Sequence, residues 1–212
     1  MKIKVCGLRD RANLQAIAQL PIDMVGLIFH ADSPRYVDEA AGEALGDLSE
    51  LVGDKAMVGV FVNAEVSEIL QQTSTYRLDY AQLHGNESAD YCASLKQVWP
   101  SLKVIKAFSV DADFDFDQTS AYERHVDYFL FDTKGKNRGG NGEKFDWSIL
   151  KKYRGFRQFF VSGGIGPDDA DQVKQLNFPQ LAGIDVNSGF ETAPAEKDVV
   201  ALAEFVAAVK GE

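Results

Sequence analysis

One feature limits the fold of this chain more than any other: a short apolar run followed by a segment with helical spacing, repeated eight times. The runs lie at residues 3–6, 24–29, 57–62, 80–83, 104–108, 128–131, 159–161 and 182–186. Most are rich in Val, Ile, Leu or Phe, which marks strands buried on both faces. Between them Val66, Ile69 and Leu70 recur at helical intervals, as do Tyr91, Leu95 and Val98, and Val199, Leu202, Ala203 and Val206. Pro167 with Asp168 and Asp169 reads as a helix start, since proline suits the first turn and acids oppose its dipole. Strands alternating with helices imply right-handed crossovers and a parallel sheet. Eight such units in 212 residues, about 26 each, exceed a doubly wound sheet and predict an α/β protein with a closed (β/α)8 TIM barrel. The fifth unit is the weak one. Residues 111–126 are acidic and offer few apolar groups, so a short or irregular helix is expected there. No linker or composition shift divides the chain, and residues 1–212 are expected to form one domain.

Composition narrows the partners. With 45% hydrophobic and 25% charged residues the chain is too apolar to be disordered. Against 22 basic residues stand 32 acidic ones, a net charge of −10, which argues against nucleic acid or an anionic membrane as partner. Cys6 and Cys92 make neither a disulfide framework nor a zinc knuckle. Neither a signal peptide nor a run of ~18 apolar residues occurs, so a cytoplasmic protein is expected.

In a parallel barrel, chemistry gathers at the carboxyl ends of the strands. The strand ends here carry Cys6-Gly7, His30 with Ser33-Pro34-Arg35-Tyr36, Asn63, Gln82 and His84, Lys106, Asp132, Ser162-Gly163-Gly164, and Asp185-Val186-Asn187-Ser188-Gly189. Gly163-Gly164 and Ser188-Gly189 fall after strands seven and eight, where barrels commonly hold a phosphate on backbone N–H groups. These glycines equally serve tight left-handed turns. Cys6 is either a small buried hydrophobe or, beside Gly7 at a strand end, a thiolate base or nucleophile. Asp132 directly follows Phe129-Leu130-Phe131, where a carboxylate is costly unless bonded or facing a site. Partial burial there suits a general acid, the other reading being a helix cap. The basic, glycine-rich run from Lys134 to Gly142 reads as either a lid or a solvated loop. Arg35 offers a fork for a carboxylate, or an ordinary salt bridge. Cys92, on the stripe of Tyr91 and Leu95, is assigned to packing.

Taken in order, Lys4-Val5-Cys6-Gly7, Ser33-Pro34-Arg35-Tyr36, Gly59-Val60-Phe61-Val62-Asn63, Gln82-Leu83-His84-Gly85, Asp132-Thr133, Gly139-Gly140-Asn141-Gly142-Glu143-Lys144-Phe145-Asp146-Trp147, Ser162-Gly163-Gly164-Ile165 and Gly183-Ile184-Asp185-Val186-Asn187-Ser188-Gly189 closely resemble the phosphoribosylanthranilate isomerases of tryptophan biosynthesis. The resemblance runs nearly end to end. Small departures are Val5 for the usual isoleucine, Asn187 for serine and Phe190 for valine, the last two near the expected phosphate loop.

The resemblance implies an Amadori rearrangement of N-(5-phosphoribosyl)anthranilate to the carboxyphenylamino-deoxyribulose phosphate. It implies Asp132 as general acid and Cys6 as general base, in a site that raises the carboxyl pKa and favours the thiolate. Arg35 would hold the anthranilate carboxylate, and Gly163, Gly164, Ser188 and Gly189 the phosphate. Asp185 would contact ribose hydroxyls or the substrate nitrogen, and Lys106, Gln82 and His84 either line the inner wall or support the barrel's polar layer. No metal, nicotinamide or flavin cofactor is implied, because the nitrogen of the intermediate is the electron sink. The partner implied is a small phosphorylated substrate, and family members occur as monomers and homodimers. Rival readings are the histidine-pathway isomerase, whose base is aspartate, a metal-dependent phosphosugar epimerase, and a silent phosphate-binding barrel.

Overall fold

The computed structural model describes residues 1–133 and 147–211. The basic run from Lys134 to Gly142 therefore lies outside the described residues. Eight parallel strands close on themselves in sequence order. They are β1 (Lys2–Val5), β2 (Met24–Ile28), β3 (Ala56–Phe61), β4 (Tyr80–Leu83), β5 (Lys103–Val110), β6 (Tyr128–Thr133), β7 (Phe159–Ser162) and β8 (Leu181–Val186). The ring closes where Lys4 pairs with Asp185 on β8 and with Met24 on β2. The barrel matches the expected fold, with strand ends shifted by a residue or two from the apolar runs.

Alternation along each strand sorts side chains into two cores. Met24, Val58, Tyr80, Ile105, Ala107, Leu130 and Phe160 pack inside the ring. Ile3, Val5, Leu27, Phe61, Leu83, Phe129, Phe131 and Ile184 face outward against the helices. Those helices are α1 (Arg11–Ala18), α2 (Glu39–Leu45), α3 (Ser49–Val52), α4 (Val66–Tyr76), α5 (Ala89–Val98), α6 (Ala170–Lys174) and α7 (Val199–Lys210). Asp10, Asp38, Ser88 and Asp198 cap α1, α2, α5 and α7 by accepting from first-turn N–H groups. After β5 only a 3-10 helix forms, Phe116–Ala121, as the acidic composition predicts. Pro167–Asp169 is likewise a 3-10 turn leading into α6.

The opposite end of the barrel carries a repeat of its own. Asp23, Asp79 and Asp127 each precede an even-numbered strand, and each accepts a backbone N–H from the strand before. The donors are Ile3, Met57 and Val104, at 2.9, 2.8 and 2.8 Å. These carboxylates staple neighbouring strands at the end remote from the site.

The connection from β8 to the last helix carries an extra element. After β8, a 3-10 turn at Ser188–Phe190 leads into an antiparallel hairpin of β9 (Glu191–Ala193) and β10 (Glu196–Lys197) before α7 begins. The hairpin is tied to α1, where Asn13 Nδ2 donates to the Lys197 carbonyl and Asn13 Oδ1 accepts from the Lys197 N–H.

Candidate active site

The inner face of β1 carries Lys4 and then Cys6, at the site end. Lys4 has no exposed surface, and its Nζ lies 2.8 Å from Asp185 Oδ1. Cys6 donates its N–H to the Val186 carbonyl, which brings the thiol beside that pair. Room for it comes from Gly26 on β2, where a Cβ would stand 3.0 Å from the Cys6 Sγ. One buried ammonium thus serves two acids. Burial pushes the Cys6 thiol and the Asp185 carboxyl up from their ordinary values, and Lys4 opposes both shifts without cancelling either. Burial also works against the Lys4 ammonium, but Asp185 and Cys6 hold its pKa above the usual lysine value. The expectation that the site favours the thiolate is therefore corrected. With Lys4 already paired to Asp185, burial outweighs the attraction that Lys4 and, to a smaller extent, Lys197 offer a thiolate at Cys6.

Across the ring, Asp132 at the end of β6 faces His84, with Oδ2 3.4 Å from the histidine Nε2. Gln82 Nε2 lies 3.0 Å from His84 Nδ1. Gln82 and Asp132 thus hold the two ring nitrogens of His84 from opposite sides. Gln82 and His84 both line the cavity. Lys106 does not belong with them. It pairs in register with Leu83 and Phe129, which face the helices. Its Nζ donates to the Leu83, Gly85 and Ala107 carbonyls and pairs with Glu87 at 3.0 Å. It is a fully bonded pin that holds the loop carrying His84.

Cys6, Asp132, Asp185 and His84 line a cavity of about 210 Å3 whose other wall is formed by Gly163, Gly164, Ser188 and Gly189. Gly163 and Gly164 have φ of 93° and 71°, the left-handed region that favours glycine. A Cβ on Gly189 would stand 2.2 Å from the Ile165 carbonyl oxygen, so only glycine lets loop eight close on loop seven. Asn187 joins this wall. Phe190 turns away, buried with its ring 4.9 Å from Phe205 of α7, so the departure at 190 is a packing matter and not a phosphate contact.

Arg35 sits beside the cavity mouth. A Cβ at Gly7, whose φ is 75°, would stand 2.6 Å from the Arg35 Cδ, so the arginine stem crosses the backbone next to Cys6. Its guanidinium is engaged by Glu191 on β9, Nε to Oε1 at 2.7 Å and Nη2 to Oε2 at 2.5 Å. Glu191 and its second partner, Lys197, have no counterpart in the sequence reading. Cys92 is buried in packing, as expected. Among the described residues no group of three acids, histidines or cysteines is placed to hold a metal.

Residues 3–208 match the family model for N-(5′-phosphoribosyl)anthranilate (PRA) isomerase. The chain belongs to the N-(5′-phosphoribosyl)anthranilate isomerase family. An isomerase of that name from Parabacteroides distasonis is 46% identical over 206 residues, covering 97% of this chain and 92% of the relative. Phosphoribosylanthranilate isomerase from Thermotoga maritima, solved as monomers of a dimeric enzyme, superposes with a TM-score of 0.81 at 28% identity and full coverage of both chains. A phosphoribosylanthranilate isomerase solved in complex with reduced 1-(o-carboxyphenylamino)-1-deoxyribulose 5-phosphate gives the same score, identity and coverage. Among the described residues no helix is long and apolar enough to cross a membrane.

Proposed function

We propose that this chain catalyses the Amadori rearrangement of N-(5-phosphoribosyl)anthranilate to 1-(2-carboxyphenylamino)-1-deoxyribulose 5-phosphate, with residues 1–212 acting as one domain in the cytoplasm. The observation that carries the reading is a thiol and a carboxyl, Cys6 and Asp132, lining one cavity with a glycine-built wall beside them. Asp132 gives a proton to the ribose ring oxygen, the ring opens to a protonated Schiff base, and Cys6 removes the proton at C2. The electron pair left on carbon flows to nitrogen, giving the enolamine that ketonises to product. The substrate's own nitrogen takes the electrons, so this route calls for no added cofactor or metal. The turns at Gly163-Gly164 and Ser188-Gly189 hold the phosphate, Arg35 the anthranilate carboxylate, and Asp185 a ribose hydroxyl or the amine. The ligand named for the related structure, reduced 1-(o-carboxyphenylamino)-1-deoxyribulose 5-phosphate, joins an aromatic carboxylate to a phosphate and supports this substrate class. The active species is a monomer or a homodimer.

The pH dependence tests the acid. The reaction needs Asp132 protonated and Cys6 ionised in the same molecule, so kcat/KM against pH is expected to be bell-shaped. Asp132→Asn leaves ionisation of Cys6 as the one titrating requirement, so the descending limb is expected to vanish while kcat falls by orders of magnitude. A descending limb that survives the substitution assigns the acid elsewhere.

A further inference from the structure

The hairpin β9–β10 adds no strand to the barrel, yet it delivers two buried charges beside Asn187, which lines the cavity. Glu191 receives both Nε and Nη2 of Arg35, and its Oε1 also receives the Lys197 ammonium at 2.5 Å and the Ala195 N–H at 3.1 Å. The Lys197 side chain has no exposed surface, and its Nζ donates further to Asn187 Oδ1 at 2.7 Å. Two cations surround one carboxylate, so the cluster keeps one net positive charge. Side-on pairing to Glu191 uses the Nε–Nη2 edge of the guanidinium. Among the described residues no partner is recorded for Arg35 Nη1. The adjoining edge, Nη1 with the second hydrogen of Nη2, is the one a second carboxylate can take.

We propose that Glu191 and Lys197 are positioning residues for recognition of the substrate's aromatic carboxylate. Glu191 fixes the guanidinium so that the Nη1 edge faces the ligand, and Lys197 offsets the glutamate charge that would otherwise repel it. This rests on the reading of Arg35 as the carboxylate contact. A fork held by a bidentate partner loses less freedom on binding than a free arginine, and a lone glutamate there would cancel the attraction without Lys197.

The test measures dissociation constants for two ligands, the reduced carboxyphenylamino-deoxyribulose phosphate and its phenylamino counterpart without the carboxylate. Wild type is compared with Arg35→Ala, Glu191→Gln, their double variant, Lys197→Met and Lys197→Arg. Glu191→Gln is expected to weaken the carboxylated ligand by about tenfold, about 1.4 kcal/mol, and the counterpart by under about twofold. In the Arg35→Ala background the same change is expected to cost nothing more, because Glu191 acts through the arginine. Lys197→Met is expected to follow Glu191→Gln, and Lys197→Arg to restore binding. Equal weakening of both ligands, or an undiminished Glu191 effect without Arg35, overturns the proposal and leaves the hairpin a structural element. If Arg35→Ala itself fails to distinguish the two ligands, the carboxylate reading of Arg35 falls first.

Discussion

Replacing Asp185 by Asn probes the competition for Lys4 directly. In the wild type the Lys4 ammonium lies 2.8 Å from the Asp185 carboxylate, and Cys6 borders the same cation. The substitution removes the negative charge, keeps the shape, and frees the ammonium to pair with the thiolate. At an effective dielectric of about 20, a unit charge at a contact distance of about 4 Å is worth roughly 4 kcal/mol, an upper bound on what losing it gives the thiolate. Burial and, after it, Asp185 are the two causes that raise the thiol, so the Cys6 pKa is expected to fall. The assay is the rate of iodoacetamide alkylation against pH, with modification at Cys6 and Cys92 separated by peptide mass spectrometry. The midpoint for Cys6 is expected to drop, while Cys92, held up at about 11 by burial, stays in place. Turnover need not rise, since Asp185 has its own proposed contact with substrate. An unmoved Cys6 midpoint, or one displaced upward, would refute the shared-cation account.

Two further outcomes follow from the geometry. Gly189→Ala forces a methyl to within 2.2 Å of the Ile165 carbonyl, so loops seven and eight must part. Overpacking of about 1–3 kcal/mol drawn from the phosphate site should weaken inorganic phosphate by roughly tenfold or more in a titration; an unchanged constant would detach the site from these turns. Asp79→Ala removes the acceptor of the Met57 N–H at the remote end of the barrel. It should cost about 1–3 kcal/mol in urea unfolding and leave kcat untouched, because stability and chemistry occupy opposite ends of this fold.

Much of the architecture was legible because the eight strands are buried on both faces, so their apolar runs stand out from the amphipathic stripes between them. Cys6, Asp132, Asp185 and the glycine turns were legible for a related reason: closing the barrel in sequence order brings every strand end to one rim. Lys4 was passed over because one lysine in a short strand reads as an edge residue. Only ring closure sets it against Asp185. The thiolate expectation failed on the same point, since a cation shared by two acids is invisible in one dimension. Lys106 was left open between lining the wall and supporting the polar layer, and strand parity decides it by sending the side chain outward to Glu87. Glu191 and Lys197 lie in a seven-residue polar stretch interrupted by Pro194, too short and irregular to announce a hairpin. The recurring aspartate before β2, β4 and β6 was present as a pattern, Asp23-Met24, Asp79-Tyr80 and Asp127-Tyr128, and its spacing could have identified the staples.

The central claim is that Cys6 removes the C2 proton of N-(5-phosphoribosyl)anthranilate in this cavity. Steady-state loss of phosphoribosylanthranilate fluorescence, with wild type beside Cys6→Ala, tests it most directly. Turnover by the wild type, with kcat of the variant lower by orders of magnitude and the reduced product analogue still bound, is the predicted result. Equal turnover by both proteins would keep the substrate and discard the thiol as base, and no turnover by either would contradict the account as a whole.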